Sequence, residues 1–179
     1  ESYNRQYRKS HGTDYRTVIP ASLYGPGDNY HSENSHVIPA LIRKIHDAKA
    51  NQLPEVVVWG SGRPRREFVY IDDMSEAIIH VMNLDLAQYI EHTEDMMSHI
   101  NIGFGNDVTI KELAKQLVKI VGYEGKIIYD LNKPDGVFRK LMDSSLIESL
   151  GWRPTVSLED GLTLTYNDYL KNKSLLRSD

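Results

Sequence analysis

Three segments carry side chains that could do chemistry. The first, VWGSGRPRREF at 58–68, sets Trp59, Gly60 and Gly62 beside Arg63, Arg65 and Arg66 between two apolar runs. A guanidinium donates in a planar fork that fits a phosphate, and an indole face can lie against a ring, so the set suits a nucleoside diphosphate. A hairpin turn with solvated arginines is the alternative. The second, NSHVIPALIRK at 34–44, places His36 at the start of an apolar-periodic run. There a helix dipole disfavours added positive charge and leaves a neutral ring able to give or take a proton, although a histidine in this place also serves as a plain cap or packing residue. Arg43 and Lys44 are consecutive, so they point in different directions and one of them faces a given ligand. The third, LNKPDGVFRKLMD at 131–143, turns at 134–136 and clusters Asp135, Arg139 and Lys140 behind the turn. Its carboxylate could accept from a base or ribose and its cations could meet a phosphate. A charged surface turn is the bland reading.

Other chemistries find no support. The Gly-rich stretch is not a phosphate-binding Walker loop, which ends in Lys-Ser/Thr at fixed spacing. His31, His36, Asp28 and Glu33 match no standard ligand pattern, so no metal is expected. Cysteine is absent, which excludes disulfides and thiolate metal sites. A net charge of −4 and a pI near 6.0 argue against a nucleic-acid or membrane binder, which normally shows a basic surface, so any anion site must be local. No apolar stretch approaches the ~20 residues that span a bilayer, and no leader pattern opens the chain. A cytoplasmic protein is the expectation. At 179 residues and 40% hydrophobic content, the chain suffices for one domain with a core.

The elements that must position these residues follow from periodicity and punctuation. ESYNRQYRKSHG reads as a helix end, with Tyr3 and Tyr7 on one face and Gly12 as its stop. A strand is expected over 15–19, then a long polar loop through ASLYGPGDNYHSENS. Val37, Ile38, Leu41, Ile42 and Ile45 predict a helix over 35–48, with Pro39 tolerable in its first turn. Strands over 55–59 and 67–71 flank the Gly/Arg segment, leaving all three arginines on the connection. Asp73 and Glu76 are expected to cap a helix reaching residue 82, and 84–97 to form a short helix or loop. A buried strand is expected at 99–103. Thr109 and Glu112 form a capping box ahead of the clearest 3.6-residue stripe, Ile110 to Val121. A strand at 126–129, a short helix at 144–150 and a last helix at 157–170 complete the reading, with a frayed tail beyond. Alternating strands and helices predict an α/β fold.

The segments ESYNRQY, LYGPGDNYHSENSHVIPAL, VVVWGSGRPRREFVYIDDM, SHINIG and KPDGVFRKLMD resemble, in order and spacing, the carboxy-terminal half of the GDP-L-fucose synthase family, within the extended short-chain dehydrogenase/reductases. The resemblance runs from Glu1 to about Leu170. It implies the end of a Rossmann sheet plus a small mixed α/β substrate-binding domain: 1–34 a remnant of the dinucleotide-binding domain and linking loop, 35–170 mainly substrate-binding with a returning Rossmann strand near 99–103, and 171–179 a tail. The implied activity is NADP(H)-dependent 3,5-epimerisation and 4-reduction of GDP-4-keto-6-deoxy-D-mannose, by a homodimer. By the same resemblance His36 is the epimerisation acid/base and also touches cofactor, with Pro20, Ala21, Ser22 and Leu23 as further cofactor contacts. Lys44, Trp59, Arg66, Asp135 and Lys140 become substrate contacts. Lys44 stands where the family often has arginine, which loses the fork geometry. The glycine-rich fingerprint and the reductive Tyr-x-x-x-Lys are not found at the chain's start, and the cysteine that works opposite the histidine would lie upstream. The expectation is therefore a fragment that does not catalyse reduction alone. A GDP-L-colitose synthase fragment and a non-catalytic sugar-nucleotide binding module are the alternatives.

Overall fold

The computed structural model describes residues 2–32 and 34–173 and realises the α/β expectation. Helix α1 (Ser2–His11) stops at Gly12, whose φ of +65° suits a residue without Cβ. Strands β1 (Thr17–Pro20) and β2 (Ser22–Tyr24) follow, then helix α2 (Val37–Ala50) and strands β3 (Glu55–Trp59) and β4 (Arg65–Tyr70). Next come α3 (Ile71–Asn83), α4 (Leu86–Glu91), β5 (His99–Ile102) and β6 (Asp107–Thr109). Helix α5 (Ile110–Val121), strands β7 (Lys126–Asp130) and β8 (Arg139–Lys140), and helices α6 (Ser145–Ser149) and α7 (Leu158–Asn172) complete the order. The capping box forms as expected: Thr109 Oγ accepts from Glu112 N and the Glu112 carboxylate accepts from Thr109 N, while Gly122 closes α5 in the left-handed region.

Strand pairing joins segments far apart in sequence. Parallel β1 and β5 pair Thr17 with His99, and parallel β3 and β7 pair Glu55 with Lys126. Strand β4 is the hub. Its second half pairs in parallel with β2, Ser22 opposite Phe68, and its first half lies between antiparallel β6 and parallel β8.

Side chains alternate across a strand, so β4 feeds two cores. Phe68 and Tyr70 join the cluster of β3, α2, α5 and α7, built on residues such as Ile42, Ile45, Leu113, Leu117 and Leu162. Val69 points the other way, into a second cluster with Ile100 and Ile102 of β5, Met74, Ala77 and Val81 of α3, Tyr89 of α4 and Ile147 of α6. Strand β2 repeats the division, with Tyr24 in the first core and Leu23 packed against the second.

Several expectations are corrected. The strands flanking the Gly/Arg segment are not paired with each other, so no hairpin forms; each takes a distant partner. Arg65 and Arg66 lie inside β4, and only Arg63 remains on the connection. The segment expected to be one long loop contains β2, created by its pairing with β4. Asp73 and Glu76 do not cap a helix: α3 begins at Ile71 with no side-chain cap, and buried Asp73 accepts from Thr155 N, Thr155 Oγ1 and Val156 N, each at 3.0 Å. Helix α7 continues through Asn172, into the expected tail, of which 174–179 lie outside the described residues.

Candidate functional site

His36 takes the N-cap position of α2 with extended backbone (φ −69°, ψ 167°), and its carbonyl accepts from Ala40 N at 3.0 Å. Its side chain makes no capping bond. The ring instead lines a cavity of about 800 Å³, within the range of small-molecule sites. About two turns further along α2, Lys44 reaches the same space. Arg43, its neighbour, turns away to Tyr30 O at 2.9 Å and to Asp47 at 3.7 Å, so of the consecutive pair Lys44 is the one facing the cavity. Burial pushes the Lys44 ammonium below its ordinary value.

The three arginines of the opening segment have three fates. Arg63 folds back, its Nε donating to Ser61 Oγ at 3.2 Å. Arg65 donates from Nε to Asp107 Oδ1 at 2.7 Å, and Arg139 pairs with the other oxygen of the same carboxylate. Those two guanidinium hydrogen bonds, Arg139 foremost, hold the Asp107 carboxyl below its ordinary range. Arg66 lines the cavity; its Nη1 donates to backbone carbonyls of Arg65 and Val137 at 2.7 and 2.6 Å, and it finds no carboxylate among the described residues.

Strand β3 delivers Trp59 at its last position, and the residue is 58% exposed. Lys44 Nζ lies 4.8 Å from its centroid. Beyond it, Asp135 clasps the Gly60–Gly62 loop: Oδ1 accepts from Ser61 N at 2.7 Å and Oδ2 from Ser61 Oγ at 2.6 Å. The hydroxyl and amide of Ser61 hold this carboxyl below its ordinary range. Gly60 has φ +77°, and a Cβ there would collide with the Asp135 carboxylate, so glycine lets the two loops meet. Asp135 thus lines the cavity with its stronger contacts already made to Ser61.

His36, Lys44, Trp59, Arg66, Asp135 and Lys140, expected from three separated segments, all line this cavity, as do Ala21, Ser22 and Leu23. Pro20 does not; it ends β1 opposite Ile102. Arg139, expected beside them, belongs to the Asp107 pair. Of the imagined metal ligands Glu33 lies outside the described residues, and no group of potential metal ligands forms among the described ones.

Two groups were not anticipated. Glu67, 2% exposed, sits in β4 between Arg66 and Phe68 and accepts from Gly105 N at 2.8 Å and Met142 N at 2.9 Å, tying β4 to the segment after Lys140. A charged residue in a strand without alternation was the only available signal. Asp28 and Ser35 also line the cavity; Asp28 Oδ2 and Ser35 Oγ are buried without a hydrogen-bond partner, and burial pushes the Asp28 carboxyl up.

The family model for "NAD dependent epimerase/dehydratase family" matches residues 1–103. The chain is 54% identical over 177 residues to a GDP-L-fucose synthase of Escherichia coli (strain K12), covering 99% of this chain and 54% of that protein. It is 53% identical over 166 residues to GDP-L-fucose synthase 1 of Arabidopsis thaliana, covering 93% and 49%. A solved GDP-D-glycero-L-gluco-heptose synthase from Campylobacter jejuni, crystallised in the presence of NADPH, superposes with a TM-score of 0.82 at 32% identity, over 93% of this chain and 56% of that one. The chain spans about half the length of the curated relatives it matches. With more than half of its residues under one family model, and with the mixed α/β fold that goes with it, the chain belongs to the NAD dependent epimerase/dehydratase family.

Proposed function

We propose that this chain supplies the sugar-nucleotide site of an NADP(H)-dependent epimerase-reductase that converts GDP-4-keto-6-deoxy-D-mannose to GDP-L-fucose. One observation carries the reading: a proton-transfer group, an exposed indole and three cations line one cavity of about 800 Å³. Trp59 offers its face to the base, while Arg66, Lys44 and Lys140 offset the diphosphate. Hydrogens on C3 and C5 flank the C4 ketone and are acidic because the carbanion is shared with the carbonyl; His36 exchanges them. The similarity to GDP-L-fucose synthases supports the guanosine and fucose assignments.

When bound, NADPH would supply the hydride for the C4 ketone. The residues present fit a dinucleotide's polar end: Asp28 Oδ2 and Ser35 Oγ are buried without partners beside Ala21, Ser22 and Leu23, and suit hydroxyl and amide groups. In this proposal residues 1–34 belong to the dinucleotide part, and 35–170, built on the core of β3, β7, α2, α5 and α7, are mainly the sugar-nucleotide part, with β5 returning to pair with β1.

In D2O, the enzyme carrying this chain is expected to exchange deuterium into C3 and C5 of the keto-sugar, followed by proton NMR. His36→Asn is expected to slow that exchange by about 100-fold or more while leaving GDP affinity within about twofold. Exchange at the wild-type rate in the His36→Asn protein would refute the assignment.

A further inference from the structure

We propose that Lys133 is a further phosphate-binding residue of this site, parked on the Trp59 ring until an anionic ligand draws it off; the inference rests on the sugar-nucleotide reading above. Lys133 Nζ lies 5.1 Å from the indole centroid, and Lys44 Nζ is within 4.8 Å of the same centroid. Two ammonium groups on one ring repel each other, and an exposed ring face is a weak substitute for an anion. Neither lysine has a carboxylate partner among the described residues. The chain carries 25 acidic against 21 basic residues, so acids are not scarce, and other surface cations such as Lys119 find one, Glu159 at 2.9 Å.

The acids nearest in sequence are turned elsewhere. Asp130 Oδ1 accepts from the Asn132 amide and side chain at 3.0 and 3.1 Å, and both oxygens of Asp135 accept from Ser61. Asn132 within the turn and Ser61 of the facing loop thus engage these carboxylates, which leaves the Lys133 ammonium group free of them. Its backbone is pinned: Lys133 N donates to Asp130 O at 3.2 Å, and Arg65 N donates to Phe138 O at 2.8 Å. Pro134, the next residue, already lines the cavity. A flexible four-carbon stem on a fixed turn can move its ammonium from ring to phosphate without a backbone change. The movement would also clear the indole for a base.

The test compares Lys133→Met with wild type, titrating GDP, guanosine and inorganic pyrophosphate while following tryptophan fluorescence. Lys133 is exposed and its ammonium contacts the Trp59 ring with no carboxylate partner among the described residues, so the variant is expected to fold as wild type. Its Kd for GDP and for pyrophosphate is expected to rise about five- to tenfold, with a shallower salt dependence, guanosine affinity unchanged and Lys133→Arg largely restoring binding. Equal GDP affinity in wild type and Lys133→Met overturns this inference alone. A wild type that binds pyrophosphate in a Lys133-dependent way but shows no preference for GDP upholds Lys133 and removes the guanosine reading. Binding of neither ligand by the wild type overturns both.

Discussion

Replacing Glu67 by glutamine tests how the hub strand holds the site. The side chain is 2% exposed and its two oxygens accept from Gly105 N at 2.8 Å and Met142 N at 2.9 Å. Glutamine keeps the shape and one acceptor but turns an amide NH2 against the second backbone N–H. The change removes a hydrogen bond to a charged acceptor, about 1.5–3 kcal/mol, and strands a buried donor, about 1–3 kcal/mol. The two effects overlap, so the expected loss is about 2–4 kcal/mol. With a urea slope of about 2 kcal/mol per molar, the unfolding midpoint falls by about 1–2 M at unchanged slope. Met142 follows Lys140, and β8 pairs Lys140 with Arg66, so GDP affinity of the still-folded protein falls as well. Urea unfolding followed by circular dichroism, with GDP titration below the transition, measures both. A midpoint shift below about 0.3 M, well under the smallest loss the hydrogen bonds allow, would refute the account of Glu67 as the acceptor that binds β4 to the segment after β8.

Two further outcomes follow from the same contacts. Gly60→Ala forces a Cβ into the left-handed region and against the Asp135 carboxylate, so it should weaken GDP binding measurably by calorimetry and lower the melting temperature, at about 1–2 kcal/mol for the backbone alone. Asp107, held below its ordinary range by Arg139 and Arg65, contributes stability above its unfolded value of about 3.9 that is lost as pH falls through its lower folded value. Asp107→Asn should therefore destabilise the protein at neutral pH and flatten the decline in stability below about pH 4, read from urea midpoints across pH.

Elements whose cause is local were legible from the chain alone. The stripe of α5 and its Thr109–Glu112 box, the stop at Gly12 and the bounds of β3 follow from side-chain period and backbone preference within a few residues. The resemblance carried by the ordered motifs grouped His36, Lys44, Trp59, Arg66, Asp135 and Lys140, and these six line one cavity, whereas Pro20, grouped with them as a cofactor contact, does not. What periodicity states is which way a side chain points, and what it leaves open is which segment stands there to meet it. Hence Arg63, Arg65 and Arg66 read alike, although Asp107 claims Arg65, Ser61 holds Arg63 and only Arg66 reaches the cavity. Likewise β2 exists because β4 lies alongside it, and Glu67 is tolerable in the interior only because the Gly105 and Met142 amides arrive from residues 38 and 75 positions away. Local chemistry determined the helices, the turns and the roster of reactive groups. Long-range strand pairing, which depends on backbone donors and acceptors that every residue carries alike, decided their partners.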